Sequence, residues 1–319
     1  MPPELRFRAD GTFTIVQFTD THVTNTPAET GPKDEQTVAL MAQVLDAEQP
    51  DLVMLTGDVI DGGRAPDPAS AWRLAVSPIV ARGLPWAAIF GNHDDEGRLD
   101  RVQLTAVQQS IPGCLTQRGP DHLTGVSNYV LKVLEPQGNR SAAHLYCLDS
   151  NSYSKTGVGV YDWIHRDQIA WFAKTAHELA EANGGERLPA LAFFHIPLPE
   201  YHEVWDYHTC HGVKYEEICP PFVNSGLFAA MHEAGDVLGT FVGHDHVNDF
   251  IGNLHGIRLT YGRATGYNTY GREGMARGAR VIRLIKGVPS FSTWLQLEGG
   301  ETITEQPLHT PEGRRTLST

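Results

Sequence analysis

Three apolar runs in the first third of the chain do most to limit its fold. Residues 13–19, 51–56 and 85–90 read as buried strands, with two stretches of helical spacing between them. The first helix is expected over 34–49, with Val38, Met41, Val44 and Leu45 as its apolar stripe and Pro50 as its stop. The second is expected over 68–82. Strands alternating with helices imply parallel βαβ units with right-handed crossovers, the helices covering the sheet. In such α/β folds ligands gather beyond the carboxyl ends of the strands. The polar clusters of this chain stand there: Asp20-Thr21-His22, Gly57-Asp58 and Gly91-Asn92-His93-Asp94.

A further helix is expected over 97–110. Strands over 128–134 and 143–148 would belong to a second, more antiparallel sheet. Residues 165–182 read as a helix, and 189–194 as a strand delivering His195. From 197 to 221 the chain reads as one long loop rich in Tyr, His, Trp and Pro, of the kind that serves as a lid or binding loop. A short helix over 225–234 precedes the strand 237–242, which runs into Gly243-His244-Asp245-His246. Two histidines one residue apart at a strand end point to the same side. Closing strands are expected over 257–261, 279–285 and 291–297, and from 298 the tail is polar and expected to be poorly ordered. With no internal repeat and no linker, residues 1–319 read as one domain.

The net charge of −13 argues against a duplex nucleic-acid partner, which needs a basic surface. It leaves room for a small phosphorylated substrate where metal ions supply the positive charge. No apolar run is long enough for a membrane span, and Met1-Pro2-Pro3-Glu4-Leu5-Arg6 has no signal-peptide core. The expected setting is cytoplasmic, with no membrane partner. Cys114, Cys147, Cys210 and Cys219 show no C-x-x-C spacing and read as reduced thiols, though Cys210 and Cys219 are near enough in sequence to pair.

Singly, each polar residue has an ordinary explanation: Asp58 as a helix cap, Asn92 as a turn residue, a lone histidine as a buried structural group. Five strand ends that together present Asp20, His22, Asp58, Asn92, His93, His195, His244 and His246 are another matter. Carboxylates, imidazoles and one amide suit divalent first-row metals better than calcium or magnesium. They are too many for one catalytic zinc with its usual three ligands, and two metals sharing a bridging carboxylate account for them better.

The order D-x-H, G-D, G-N-H-D, H, G-H-x-H resembles the calcineurin-like metallophosphoesterase superfamily over about residues 13–297. Gly159-Val160-Tyr161-Asp162-Trp163, Phe194-His195-Ile196-Pro197-Leu198-Pro199-Glu200-Tyr201, Asn224-Ser225-Gly226 and the stretch 242–250 are similar to its purple-acid-phosphatase-like branch. The resemblance implies a four-layer α-β-β-α sandwich with two mixed sheets. It implies a first metal held by Asp20, His22, Asp58 and His246, and a second held by Asp58, Asn92, His195 and His244. A metal-activated water would attack a phosphate monoester or diester, His93 would assist the leaving group and Asp94 would orient His93. Tyr161, Tyr201, Asn224 and Tyr267 fall in or beside the similar stretches and are the expected pocket residues.

The chain departs from true purple acid phosphatases at one point: G-D-x-x-Y reads G-D-x-x-D here, with Asp61 in the place of the iron-ligating tyrosine. His22, from D-x-H where those enzymes have D-x-G, would by this resemblance take the vacated slot. That favours a divalent pair such as Mn, Fe(II) or Zn over a ferric centre. A dedicated phosphodiesterase or phosphonate-ester hydrolase is the alternative activity. A binding scaffold without catalysis is the alternative class, against which the full set of ligands and His93 stands.

Overall fold

The computed structural model describes residues 3–311. The chain opens with β1 (Leu5–Arg6) and β2 (Thr12–Phe18), followed by α1 (Gly31–Glu48), β3 (Leu52–Thr56), α2 (Pro68–Ala75), α3 (Ser77–Val80), β4 (Trp86–Ile89) and α4 (Arg101–Gln109). It continues through β5 (Tyr129–Leu134), β6 (Ser141–Cys147), α5 (Arg166–Ala182), β7 (Ala190–Phe193), α6 (Glu200–Tyr207), β8 (Cys210–His211) and α7 (Leu227–Ala234). It closes with β9 (Val237–Val242), β10 (Ile251–Leu254), β11 (Ile257–Tyr261), β12 (Gly278–Ile285), β13 (Phe291–Leu297), β14 (Thr302–Ile303) and β15 (Leu308–His309).

Two mixed sheets result, ordered β14-β13-β12-β2-β3-β4 and β1-β5-β6-β7-β9-β11-β10-β8-β15. They pack face to face between helices as an α-β-β-α sandwich. Alternation along β2 and β3 explains the layering. Phe13, Ile15, Leu52 and Met54 face the other sheet and join its core, whereas Val16, Phe18, Val53 and Leu55 face Leu40, Met41, Val44 and Leu45 of α1. β2, β3 and β4 are parallel, as the βαβ pattern requires. The second sheet is less antiparallel than expected. β5 and β6 are antiparallel, but the neighbouring pairs in the run β6-β7-β9-β11 are all parallel.

Local chemistry sets the helix ends. Asp100 caps α4 in a reciprocal capping box with Gln103, so the helix begins at Arg101 and not at 97. Asp67 caps α2 through the Ala69 amide. The helix expected over 68–82 divides after Val76 because the ring of Pro78 has no room against the carbonyl of Leu74 in a continuous helix. The loop expected over 197–221 holds a two-turn helix and a short strand: α6 buries Tyr201 and Val204, and β8 bridges β10 and β15. The polar tail is not loose through 311, since β14 pairs with β13 and β15 with β8. The rest of that expectation, 312–319, lies outside the described residues. All four cysteines are free, so Cys210 and Cys219 do not pair. Among the described residues no helix is long and apolar enough to cross a membrane.

Candidate metal centre

β2, β3, β4, β7 and β9 all end on one rim, and the loops that follow them turn at once into a common space. The turns are sharp. Asp20, His22, Asp58 and His244 have φ of 55°, 45°, 48° and 78°, a left-handed region that costs a residue with a side chain about 1–3 kcal/mol. Close approach does the rest. A Cβ on Gly91 would lie 2.1 Å from Asp58 Oδ1, and one on Gly243 would lie 2.0 Å from Thr19 Oγ1. Gly91→Ala is therefore expected to destabilise the fold by about 1–3 kcal/mol through overpacking, and to weaken metal binding at the same time. Thermal melts with and without manganese would check both effects.

Two donor groups form. Asp20, His22, Asp58 and His246 make one, and Asp58, His195 and His244 the other, each with its ligand atoms within 4.8 Å of one another. Asp58 belongs to both. One of its oxygens, Oδ1, accepts a hydrogen bond from the His93 amide at 2.8 Å. The other, Oδ2, lies 3.1 Å from His195 Nε2 and 3.7 Å from His22 Nε2, facing imidazoles from both groups. Thr56 O accepts from His195 Nδ1 at 2.8 Å, which turns Nε2 inward. His246 is held in the same manner by Thr269 Oγ1, 2.6 Å from its Nδ1.

Several buried atoms here have no satisfactory partner within the protein. His195 Nε2 and Asn92 Oδ1 are buried without an aligned hydrogen bond. His22 Nε2 and His246 Nε2 face each other at 3.4 Å. Burial depresses His22 and His244 to about 3, so both remain neutral ligands at ordinary pH. Burial opposes the charge on Asp20, but His246 outweighs it and holds the carboxyl at about 2. Asp58 is likewise held well below the usual carboxylate range, burial being outweighed by His195. Burial works against a proton on His195 too, yet the Asp58 charge prevails and raises it to about 9. Two buried carboxylates thus draw positive charge to the place where the lone pairs converge. Unpaired polar atoms, neutral imidazoles and a shared carboxylate suit a binuclear site for divalent cations.

Chelation should consequently cost stability. With each cation at about 100 times its dissociation constant, its removal is worth about 2.7 kcal/mol, and a fall in Tm of about 5–10 °C is expected on dialysis against a chelator. Restoring manganese or zinc should return it.

Every expected ligand is in the cluster or beside it: Asn92, whose Nδ2 donates to Tyr153 at 3.1 Å, keeps its Oδ1 free of protein donors. Asp61 stays out, its carboxylate bound to Arg64. His93 stands at the mouth, its ring centroid 5.3 Å from that of His22. Its orienting partner differs from expectation. Glu96 Oε2, not Asp94, lies 2.7 Å from His93 Nδ1. Asp94 is buried behind the site and accepts from the amides of Asp58, Val59, Ile60 and Gly91. It ties the β3 loop to the β4 loop, and this full set of backbone donors leaves it no part in holding His93.

Of the expected pocket residues, Tyr161 lies against the cluster, its ring 4.3 Å from that of His244 in an edge contact. The other three are elsewhere. Tyr201 is fully buried, its hydroxyl 2.8 Å from Thr240 Oγ1 and its ring packed on Tyr261. Asn224 is exposed and holds the turn before α7, donating to Glu200 and accepting from Gly226. Tyr267 donates its hydroxyl to Glu298 and packs in the helix-side core. Besides Thr269 on His246, the structure adds neighbours absent from the sequence reading: Glu96, three residues beyond His93, and Tyr153, whose hydroxyl donates to Glu96 Oε1 at 2.8 Å. Glu96 could have been found from its i, i+3 spacing, whereas Tyr153 carries no local signal.

Comparison with known proteins places the chain's family and fold. The sequence profile of calcineurin-like phosphoesterases matches residues 13–248. "Probable inactive purple acid phosphatase 29" of Arabidopsis thaliana is 37% identical over 92% of this chain and 85% of its own length. "Phosphatase DCR2" of Saccharomyces cerevisiae is 33% identical, over 91% of this chain but 54% of its own. Among solved structures, a dimetal phosphatase from Danio rerio shares the fold, with a TM-score of 0.59 over 88% of this chain and 98% of that one at 13% identity. The chain therefore belongs to the calcineurin-like phosphoesterase family, on its purple-acid-phosphatase-like side.

Proposed function

We propose that this protein hydrolyses phosphate esters, monoesters and diesters alike, with Asp20, His22, Asp58 and His246 holding one divalent cation and Asp58, Asn92, His195 and His244 holding the other. The observation that carries the reading is the sharing of Asp58 between two convergent donor groups, with His93 at their mouth. Such a pair of cations, when bound, neutralises phosphate charge and brings the pKa of a bound water towards neutrality.

The protein's own groups would do the rest. Glu96 engages His93 Nδ1, which leaves Nε2 as the nitrogen able to meet the ester. Burial works against the charge on His93, but Asp58 and the hydrogen bond that His93 donates to Glu96 raise its pKa, so the imidazolium is favoured as a proton donor. In the reaction the P–O bond to the alcohol breaks, water oxygen makes the new P–O bond, the proton from His93 goes to the departing alcohol oxygen, and the proton that the water gives up passes to solvent, from which His93 is reprotonated. No serine or cysteine nucleophile is required.

Three of the relatives bear names that begin "Probable inactive". This chain keeps both donor groups and His93, which favours catalysis over a scaffold role. The acidic charge of −13 favours small phosphorylated substrates over duplex nucleic acid. Assays of mono- and bis-nitrophenyl phosphate with the manganese-, iron- and zinc-loaded protein test the proposal. Turnover of either ester that disappears on chelation is expected, and no turnover with any metal would refute it. Turnover of the diester alone would select the dedicated phosphodiesterase.

A further inference from the structure

Beside the centre lies a hollow of about 480 Å³ walled by Val160, Tyr161, Ile218, Pro220, Pro221 and Phe222. Tyr161 belongs to both places, since its ring also meets that of His244. Phe222 is 79% exposed and Val160 59%, a clustered apolar surface of the kind that marks a binding site. Phe222 is nonetheless held in place. Gly159 has φ 66°, and a Cβ there would lie 2.9 Å from Phe222 Cγ, so the phenyl ring rests on the backbone of the loop that carries Tyr161. None of the lining residues is a lysine or arginine. His202 is the one imidazole among them, so the hollow offers no fixed positive charge to a second anionic group.

We infer that this hollow receives the apolar alcohol of a phosphate ester, an aryl or cyclic alkyl group, while the phosphoryl group meets the metal centre. The inference rests on the phosphoesterase reading and narrows its substrate class to esters with one phosphate and an apolar alcohol. The competing seat is a polar hollow beyond Tyr153, walled by Asp149, Ser152, Ser154 and Lys155, which would suit a hydroxylated alcohol.

Two non-hydrolysable probes separate these. Calorimetric titration of the manganese-loaded full chain with cyclohexylmethylphosphonate and with 2,3-dihydroxypropylphosphonate should show the first binding tighter by about tenfold or more. Phe222→Ser and Val160→Ser, both at exposed positions and so safe for folding, should each cut that ratio severalfold. Equal affinities, preference for the hydroxylated probe, binding of neither, or a ratio unchanged in both variants would overturn the inference. The matching phosphate esters, assayed in parallel, keep the two claims apart. Selective binding without hydrolysis would sink the activity and leave the subsite, and hydrolysis of both esters at equal efficiency with equal binding would do the reverse.

Discussion

Asp58→Asn is expected to lower phosphoester turnover by about 10³-fold or more and to reduce metal content from two equivalents towards one or none. The amide keeps the size of the carboxylate and can still accept from the His93 amide, so the fold should be retained. What is lost is the negative charge at Oδ2, which faces His195 and His22 from both donor groups. A metal ion contributes several kcal/mol of transition-state stabilisation, and each factor of ten in rate is about 1.4 kcal/mol. Loss of a shared ligand touches both ions, which is why this substitution should exceed that of any other single ligand. Elemental analysis and steady-state kinetics on the same preparation would check it. A variant with full activity and two metals would remove Asp58 from the bridge.

His93→Ala should separate chemistry from metal binding. Its side chain is partly exposed at the mouth and is in neither donor group, so the variant should hold two cations and melt close to the parent. Turnover of esters with poor leaving groups should fall by about 10²–10⁴-fold, the usual contribution of a positioned acid. Esters of nitrophenol need little protonation on departure and should lose far less. An equal loss for both kinds of ester would point instead to His93 binding the phosphoryl oxygens. Glu96→Gln should show a smaller loss with the same leaving-group trend, because Glu96 acts on the ester only through His93 Nδ1.

The parts legible in the sequence are those governed by period and by strand ends. Alternation along β2 and β3, and the stripe of Leu40, Met41, Val44 and Leu45 on α1, both follow from burial on one face. The candidate ligands were legible because parallel strands bring their carboxyl ends to one rim whatever the loops between them do. α6 was missed because its sequence, Glu200–Tyr207, is short and aromatic and follows Pro199; only Tyr201 and Val204, three apart and both buried, betray it. In the same stretch Tyr201, expected in the pocket, instead packs against Thr240 and Tyr261. Asp94 was misjudged for a different reason. Three of its four partners are backbone amides on another loop, and amides leave no mark in a sequence.

On the proposed reading Asp58 joins two cations held by side chains from five strand ends. An anomalous difference map from crystals grown with manganese tests it most directly. Two peaks are predicted, one among Asp20, His22, Asp58 and His246 and one among Asp58, Asn92, His195 and His244, with Asp58 touching both. A single peak, or two peaks without Asp58 between them, would contradict it.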